Sequence, residues 1–439
     1  MSEQENIQGT MLLQSFAADN NRYDKIKNVE DLQACLQDAI TLEFATIPAY
    51  LTAMYSMKDA TSSAYRITKT VALEEMFHVY QAANLLISIG GTPKLTGDRA
   101  VKYPSYIPRG DQNETPCIKP SRATKELYLN TFMGIEKPSP ANAKPQDKNV
   151  ETIGQFYLAI REGFKYLADP DVMGKKLFNN TKGYTQQQNF NIGNGGGQII
   201  NVTDLDSAIL AIEEITEQGE GCKEPDGSTK NREPWGIYNG YEYNLKQDEN
   251  DNHHYKLMYG PMDKPTSERS HYQKFKRIAS GEIPLPATYP IVSTTSRGLY
   301  GENQLLLDIR DAFDGYYSVL LHVLEASFKQ GDSAQNIYFQ AAMPLMHTLL
   351  PTLARKLMKS PLPDCSGLHA APSWTYIDKK LKHTNTLAQS LCNHYQQLIA
   401  AADSRDKLDS YQSSQQTMEN ILRIGQQIQS LFEKNNIDF

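Results

Sequence analysis

Glutamate and histidine recur in this chain at spacings that suit a metal ion. Glu75-Met76-Phe77-His78 is a Glu-x-x-His, and on a helix its two side chains share one face, one turn apart. Glu268-Arg269-Ser270-His271 repeats the pattern. Glu43 precedes the first pair, and Glu220, or with a poorer fit Glu217, precedes the second. Two helices each giving a Glu and two each giving a Glu-x-x-His, all projecting inward, form the ligand set that helical bundles use for a dinuclear iron or manganese centre. Carboxylate oxygen and imidazole nitrogen without thiolate suit two iron ions, with manganese as the alternative, better than a structural zinc site.

One such motif alone is an ordinary surface pair; the reading rests on its recurrence. Glu74 and Tyr272 adjoin the predicted ligands and are candidates for orienting them, Glu74 being also an alternative ligand one turn before His78. His253-His254 sits among polar residues and reads as solvated. His322, His347, His369, His383 and His394 have no carboxylate at a comparable helical spacing, and no Ser/His/Asp or Cys/His nucleophile stands out.

Helices must position these side chains. Apolar residues recur at helical spacing over residues 29–57, and stepping about 100° per residue from Leu36 brings Glu43 within about 20° of it. A lone carboxylate on such a face is costly unless paired, protonated or metal-bound. Pro48 predicts a kink or reset there. A second helix is predicted over residues 62–89, stopped by Gly90-Gly91 and Pro93, and the two form an antiparallel hairpin. A third, over residues 205–219, starts at an Asp204 cap; its apolar stripe centres near Ile212, leaving Glu220 about 80° and Glu217 about 140° off centre. A fourth spans residues 266–280.

Residues 95–149 read as a long excursion with one helix near 121–135, followed by a helix over 150–167. A small hairpin is an option over residues 183–204. The glycines Gly193, Gly195, Gly196 and Gly197 read as a turn, since no Gly-Lys-Ser/Thr follows them. Residues 223–264 form a second polar excursion. Helices over 302–328, 334–358, 375–400 and 404–434 complete a mainly α chain, with Met343, Met346, Met358 and Tyr316-Tyr317 at core spacings. The organisation is an N-terminal arm (1–27), a bundle domain with insertions (28–280), a linker or strap (281–301) and a C-terminal helical domain (302–439).

The chain's 439 residues, 40% hydrophobic and 22% charged, suffice for a large core. A net charge of −7 provides no overall cationic field for nucleic acid. No run approaches the roughly 18 apolar residues of a membrane span, and the N-terminus has no signal-like start, so a cytoplasmic protein with neither nucleic-acid nor membrane partner is expected. Five scattered cysteines argue against a disulfide framework or a thiolate site.

ITLEFATIPAYLTAMYS, VALEEMFHVYQAANLLISIGGTPKL, FMGIEKP, TIGQFYLAIREGF, ITEQGEG and SERSHYQKF occur in this order. The set resembles the ferritin-like domain of the iminophenyl-pyruvate dimer synthase family of violacein- and rebeccamycin-type pathways, over about residues 28–280. The resemblance implies a ferritin-like four-helix bundle with long loop excursions, and metal-ligand roles for Glu43, Glu75, His78, Glu268 and His271, with Glu220 or Glu217 completing the set. It also implies kinship with enzymes that oxidatively couple imines of aromatic amino acids. The chain departs from that family in its shorter length and in residues 223–264. The expectation is a dinuclear non-haem iron oxidoreductase using dioxygen or peroxide on a small organic substrate. The alternative is an iron-handling protein without organic turnover. Oligomeric state is open, a homodimer being one option.

Overall fold

The Asn28 side chain accepts from the Asp31 amide and starts helix α1 (Val29–Ser56). Pro48 lies inside α1 without ending it. The expected reset does not occur because the helix is buried on both sides of the proline, and that packing outweighs the lost hydrogen bond. Ser62 caps α2 (Ser63–Ser88), which stops where Gly90 takes φ +77° and the Gly90 and Gly91 amides donate to Ile87 and Leu86. The computed structural model describes residues 22–140, 142–179, 183–187, 199–223, 229–230, 245–248, 251–257, 269–293, 296–329, 338–364, 366–378 and 381–437. The predicted glycine turn at 193–197 and half of the optional hairpin lie outside them.

Helix α3 (Ile153–Leu167) follows a Thr152 cap, and α4 (Leu205–Glu220) follows Asp204 in a capping box with Ser207. Helix α1 packs on α2 and α3, and α4 packs on the same two, so the four close into a ring. The fourth bundle member is therefore α3. The segment expected to fill that place starts later, as α5 (His271–Ser280) behind an extended Ser270 cap, and lies across α2, α4 and the short helical run at 125–135. That run is α-helical over Lys125–Leu127 and Met133–Ile135 and π-helical between, over Tyr128–Phe132. Its Tyr128 and Phe132 rings join Tyr50 and Phe275 in an aromatic cluster with centroids 4.6–5.5 Å apart.

Within residues 223–264 and just before them, β1 (Cys222–Lys223) pairs with β2 (Thr229–Lys230) and β3 (Leu245–Asp248) with β4 (Asp251–Leu257), both antiparallel. The C-terminal helices are α6 (Gln304–Ser327), α7 (Leu350–Lys359), α8 (Leu381–Ala400) and α9 (Arg405–Lys434). Helix α6 packs on α7 and α8, α9 packs on α8, and α7 reaches back to α1. Residues 281–293 strap the two halves: the Tyr289 amide donates to Ser56 O and the Val292 amide to His369 O. No helix among the described residues is long and apolar enough to cross a membrane.

Candidate metal centre

Four of the predicted ligands meet. Glu43 from α1, Glu75 and His78 from α2 and His271 from α5 are each no more than 2% exposed. Glu75 lies between the two imidazoles: its Oε1 is 2.8 Å from His271 Nδ1 and its Oε2 is 3.5 Å from His78 Nδ1. Glu43 Oε2 is 3.5 Å from the same His78 Nδ1, and Glu136 Oε1 is 3.6 Å from His271 Nδ1. Two half-sites thus share Glu75, and the rings stack with centroids 5.3 Å apart. Candidate donor atoms of Glu75, His78 and His271 all lie within 4.8 Å of one another.

The outer nitrogens are held as well. His78 Nε2 is 2.8 Å from Gln218 Oε1, and His271 Nε2 is 3.0 Å from Glu74 Oε2, which also accepts from Lys274 Nζ at 2.6 Å. Such bonds leave each Nδ1 as the free donor and fix its direction. Tyr157 donates to Glu43 Oε1 and Tyr50 to Glu136 Oε1, both at 2.6 Å.

Burial drives the Glu43 carboxyl up to about 7 despite the His78 bond. It raises Glu136 too, with repulsion from Glu75. For Glu74 burial acts upward, but Lys274 and His271 prevail and hold it at about 2; Glu75 is likewise held low by its two histidines. Burial opposes charge on His78, yet Glu43 and Glu75 push it up to about 10, and His271 is raised by Glu136, Glu74 and Glu75. Protons on these imidazoles therefore occupy positions between carboxylates that suit a cation equally. The His271 Nδ1 contact to Glu75 is short but lacks hydrogen-bond alignment, so this buried nitrogen has no hydrogen-bond partner among the described residues. An imidazole nitrogen that faces carboxylates without an aligned hydrogen bond fits a metal ligand.

The remaining predicted residues fall elsewhere. Glu220 borders a cavity of about 20 Å³ with Glu43, His78 and Glu136, but its carboxylate accepts from the Gly154 amide, the Ser139 amide and Ser139 Oγ at 2.9–3.0 Å. Glu217 is half-buried, outside the cluster. Glu268 lies outside the described residues. Because Ser270 is extended, His271 opens α5. Glu74 does orient His271, whereas Tyr272 is half-buried and makes no hydrogen bond to the described cluster. His253 and His254 lie on β4.

Sequence reasoning missed Glu136, Gln218, Lys274, Tyr50 and Tyr157. A signal existed for Glu136: in FMGIEKP an acid caps the C-terminal end of a helical run, where the dipole disfavours it. Lys274 is one turn from His271 and from Ile278 on the buried face of α5.

A family model described as ferritin-like matches residues 36–280. None of the curated proteins matches the chain. Among solved structures, a ferritin-like protein from Caulobacter vibrioides is similar, with 20% identity and a TM-score of 0.51, over 80% of this chain and 100% of that one.

Proposed function

The chain belongs to the ferritin-like family, and from that premise we propose that Glu43, Glu75, His78, Glu136 and His271 hold a dinuclear iron centre in an oxidoreductase. The observation that carries the reading is the shared Glu75, one oxygen toward each Nδ1, with Glu43 and Glu136 closing the two ends. Bound iron would supply Lewis acidity and redox chemistry toward dioxygen or peroxide. The chain's own residues do the positioning: Gln218 and the Glu74–Lys274 pair fix the imidazoles, and Tyr157 and Tyr50 fix the terminal carboxylates. Glu220 serves as an anchor beside the centre, holding the N-terminal turn of α3. The resemblance to the iminophenyl-pyruvate dimer synthase family supports an imine derived from an aromatic amino acid as the organic substrate.

Iron handling without organic turnover is the second reading, favoured by the cavity at the cluster, whose 20 Å³ admits an ion or a diatomic gas but no organic body. Anaerobic iron titration with elemental analysis tests the centre, with about two equivalents per chain expected. Retention below about half an equivalent overturns it. Adding oxygen and an aryl imine to the reduced protein then separates the readings: imine oxidation coupled to oxygen uptake supports the enzyme, and oxygen uptake with further iron loading supports handling.

A further inference from the structure

Helices α1 and α2 carry a second feature beside the cluster. Phe44, Met76 and Val79, next in sequence to Glu43, Glu75 and His78, line a cavity of about 300 Å³ bounded across by α6, α7 and Trp374. That volume is at the small end of ligand pockets. Its walls are mainly aromatic and aliphatic, but three basic side chains, Lys69, His347 and Arg355, also line it, and no Asp or Glu does. Neither Lys69 nor Arg355 has a carboxylate partner among the described residues; Arg355 Nη2 donates to Tyr65 Oη at 2.6 Å, with its guanidinium over that ring. Burial lowers Lys69, and burial together with the Lys69 charge lowers His347.

Two further observations mark the cavity as built. Tyr317, 1% exposed, stands in its wall. Trp374 holds its indole in the wall at φ +51°, a region a bulky residue adopts only under constraint. The constraint is visible: Asp314 accepts from Ser373 Oγ and the Thr375 amide on either side of it, and the indole Nε1 donates to Thr52 Oγ1 at 2.8 Å. The π-helical turn Leu345–Leu349 supplies Met346 and His347 to the same cavity, and such turns concentrate at functional sites.

We propose that this cavity binds one small amphipathic anion, its carboxylate-type head at Lys69, His347 and Arg355 and its apolar body against Tyr317 and Trp374. An apolar chamber with unpaired cations and no acid selects this chemistry over a neutral or cationic guest. The site stands apart from the metal centre, and its test does not involve iron.

Calorimetric titration of the full chain with octanoate and 3-phenylpropanoate, each paired with its alcohol, tests the proposal. Saturable binding of at least one acid is expected, about tenfold or more tighter than its alcohol. The preferred acid tells an aliphatic from an aryl ligand. Lys69→Gln and Arg355→Gln should each weaken the acid about fivefold or more while leaving the alcohol unchanged, and Leu320→Trp should abolish both by filling the space. Alcohol binding as tight as the acid, or no saturation by either acid in the millimolar range, overturns the proposal.

Discussion

Glu75 differs from the other carboxylates of the cluster in touching both histidines, Oε1 toward His271 and Oε2 toward His78. Removing it damages both half-sites, whereas Glu43 and Glu136 each serve one. Glu75→Ala should therefore reduce anaerobic iron loading from about two equivalents to well below one, and Glu43→Ala should leave about one; equal losses in elemental analysis would show that Glu75 is not shared. His78→Ala and His271→Ala should each alter the same iron spectrum. Lys274 is a different kind of residue, a buried cation on Glu74. Lys274→Met leaves that carboxylate without its ammonium, with an expected loss of about 3–5 kcal/mol in urea unfolding, most of it regained in the Glu74→Gln/Lys274→Met double variant. Glu43, Glu75 and His78 were legible because a carboxylate inside a helical apolar stripe breaks its pattern. Periodicity could not reach Glu136, since a π-helical run carries no 3.6-residue period and the residue enters from beyond its end, so only its place at a helix C-terminus marked it.

At the scale of elements, periodicity located the helices and misjudged one face. The buried arc of α4 contains Ala208, Ala211, Ile212, Glu214, Ile215, Gln218 and Gly219, and is centred about 70° from Ile212 on the side toward Gln218. A stripe judged by apolarity alone could not include a glutamine that faces an imidazole. Glu220 is buried for another reason: it closes the helix over the first turn of α3, where Gly154 makes room for it. A Cβ on Gly154 would clash with Glu220 Oε1 and Ser139 Oγ, so Gly154→Ala must displace the hydrogen-bonded carboxylate or its Ser139 partner. The expected cost is about 2 kcal/mol or more, from overpacking and the lost hydrogen bonds, read in urea unfolding. Glu217→Ala should stay within about 0.5 kcal/mol and retain iron, as a half-buried residue outside the cluster does. Iron loss confined to Glu217→Ala would reverse that assignment.

Across the whole molecule, the bundle and the C-terminal helices share one hydrophobic core, so the linker expected at 281–301 joins surfaces already in contact. The sequence left linker and strap open, because both use the same proline-rich composition; the difference lies in long-range bonds such as Tyr289 to Ser56. Asp314 on α6 is a second tie between the halves, through residues 373–375 and the Trp374 bond to Thr52 on α1. Burial raises its carboxyl from 3.8 to about 7, against the pull of Ser373, Arg310 and the Thr375 amide. A folded pKa above the unfolded one means that the native state binds the proton more tightly. The resulting stabilisation is complete below about pH 4 and is lost as pH rises to about 7. Asp314→Asn keeps the shape and an acceptor for the Thr375 amide while removing the titration. Between about pH 5 and pH 8 the unfolding free energy of wild type should therefore fall relative to the variant, by on the order of 2 kcal/mol. Urea unfolding of both proteins at the two pH values measures the difference. A gap that stays flat would mean that Asp314 is ionised throughout and paired with Arg310, 3.8 Å away, and that the tie between the halves is an ion pair instead of a protonated acid.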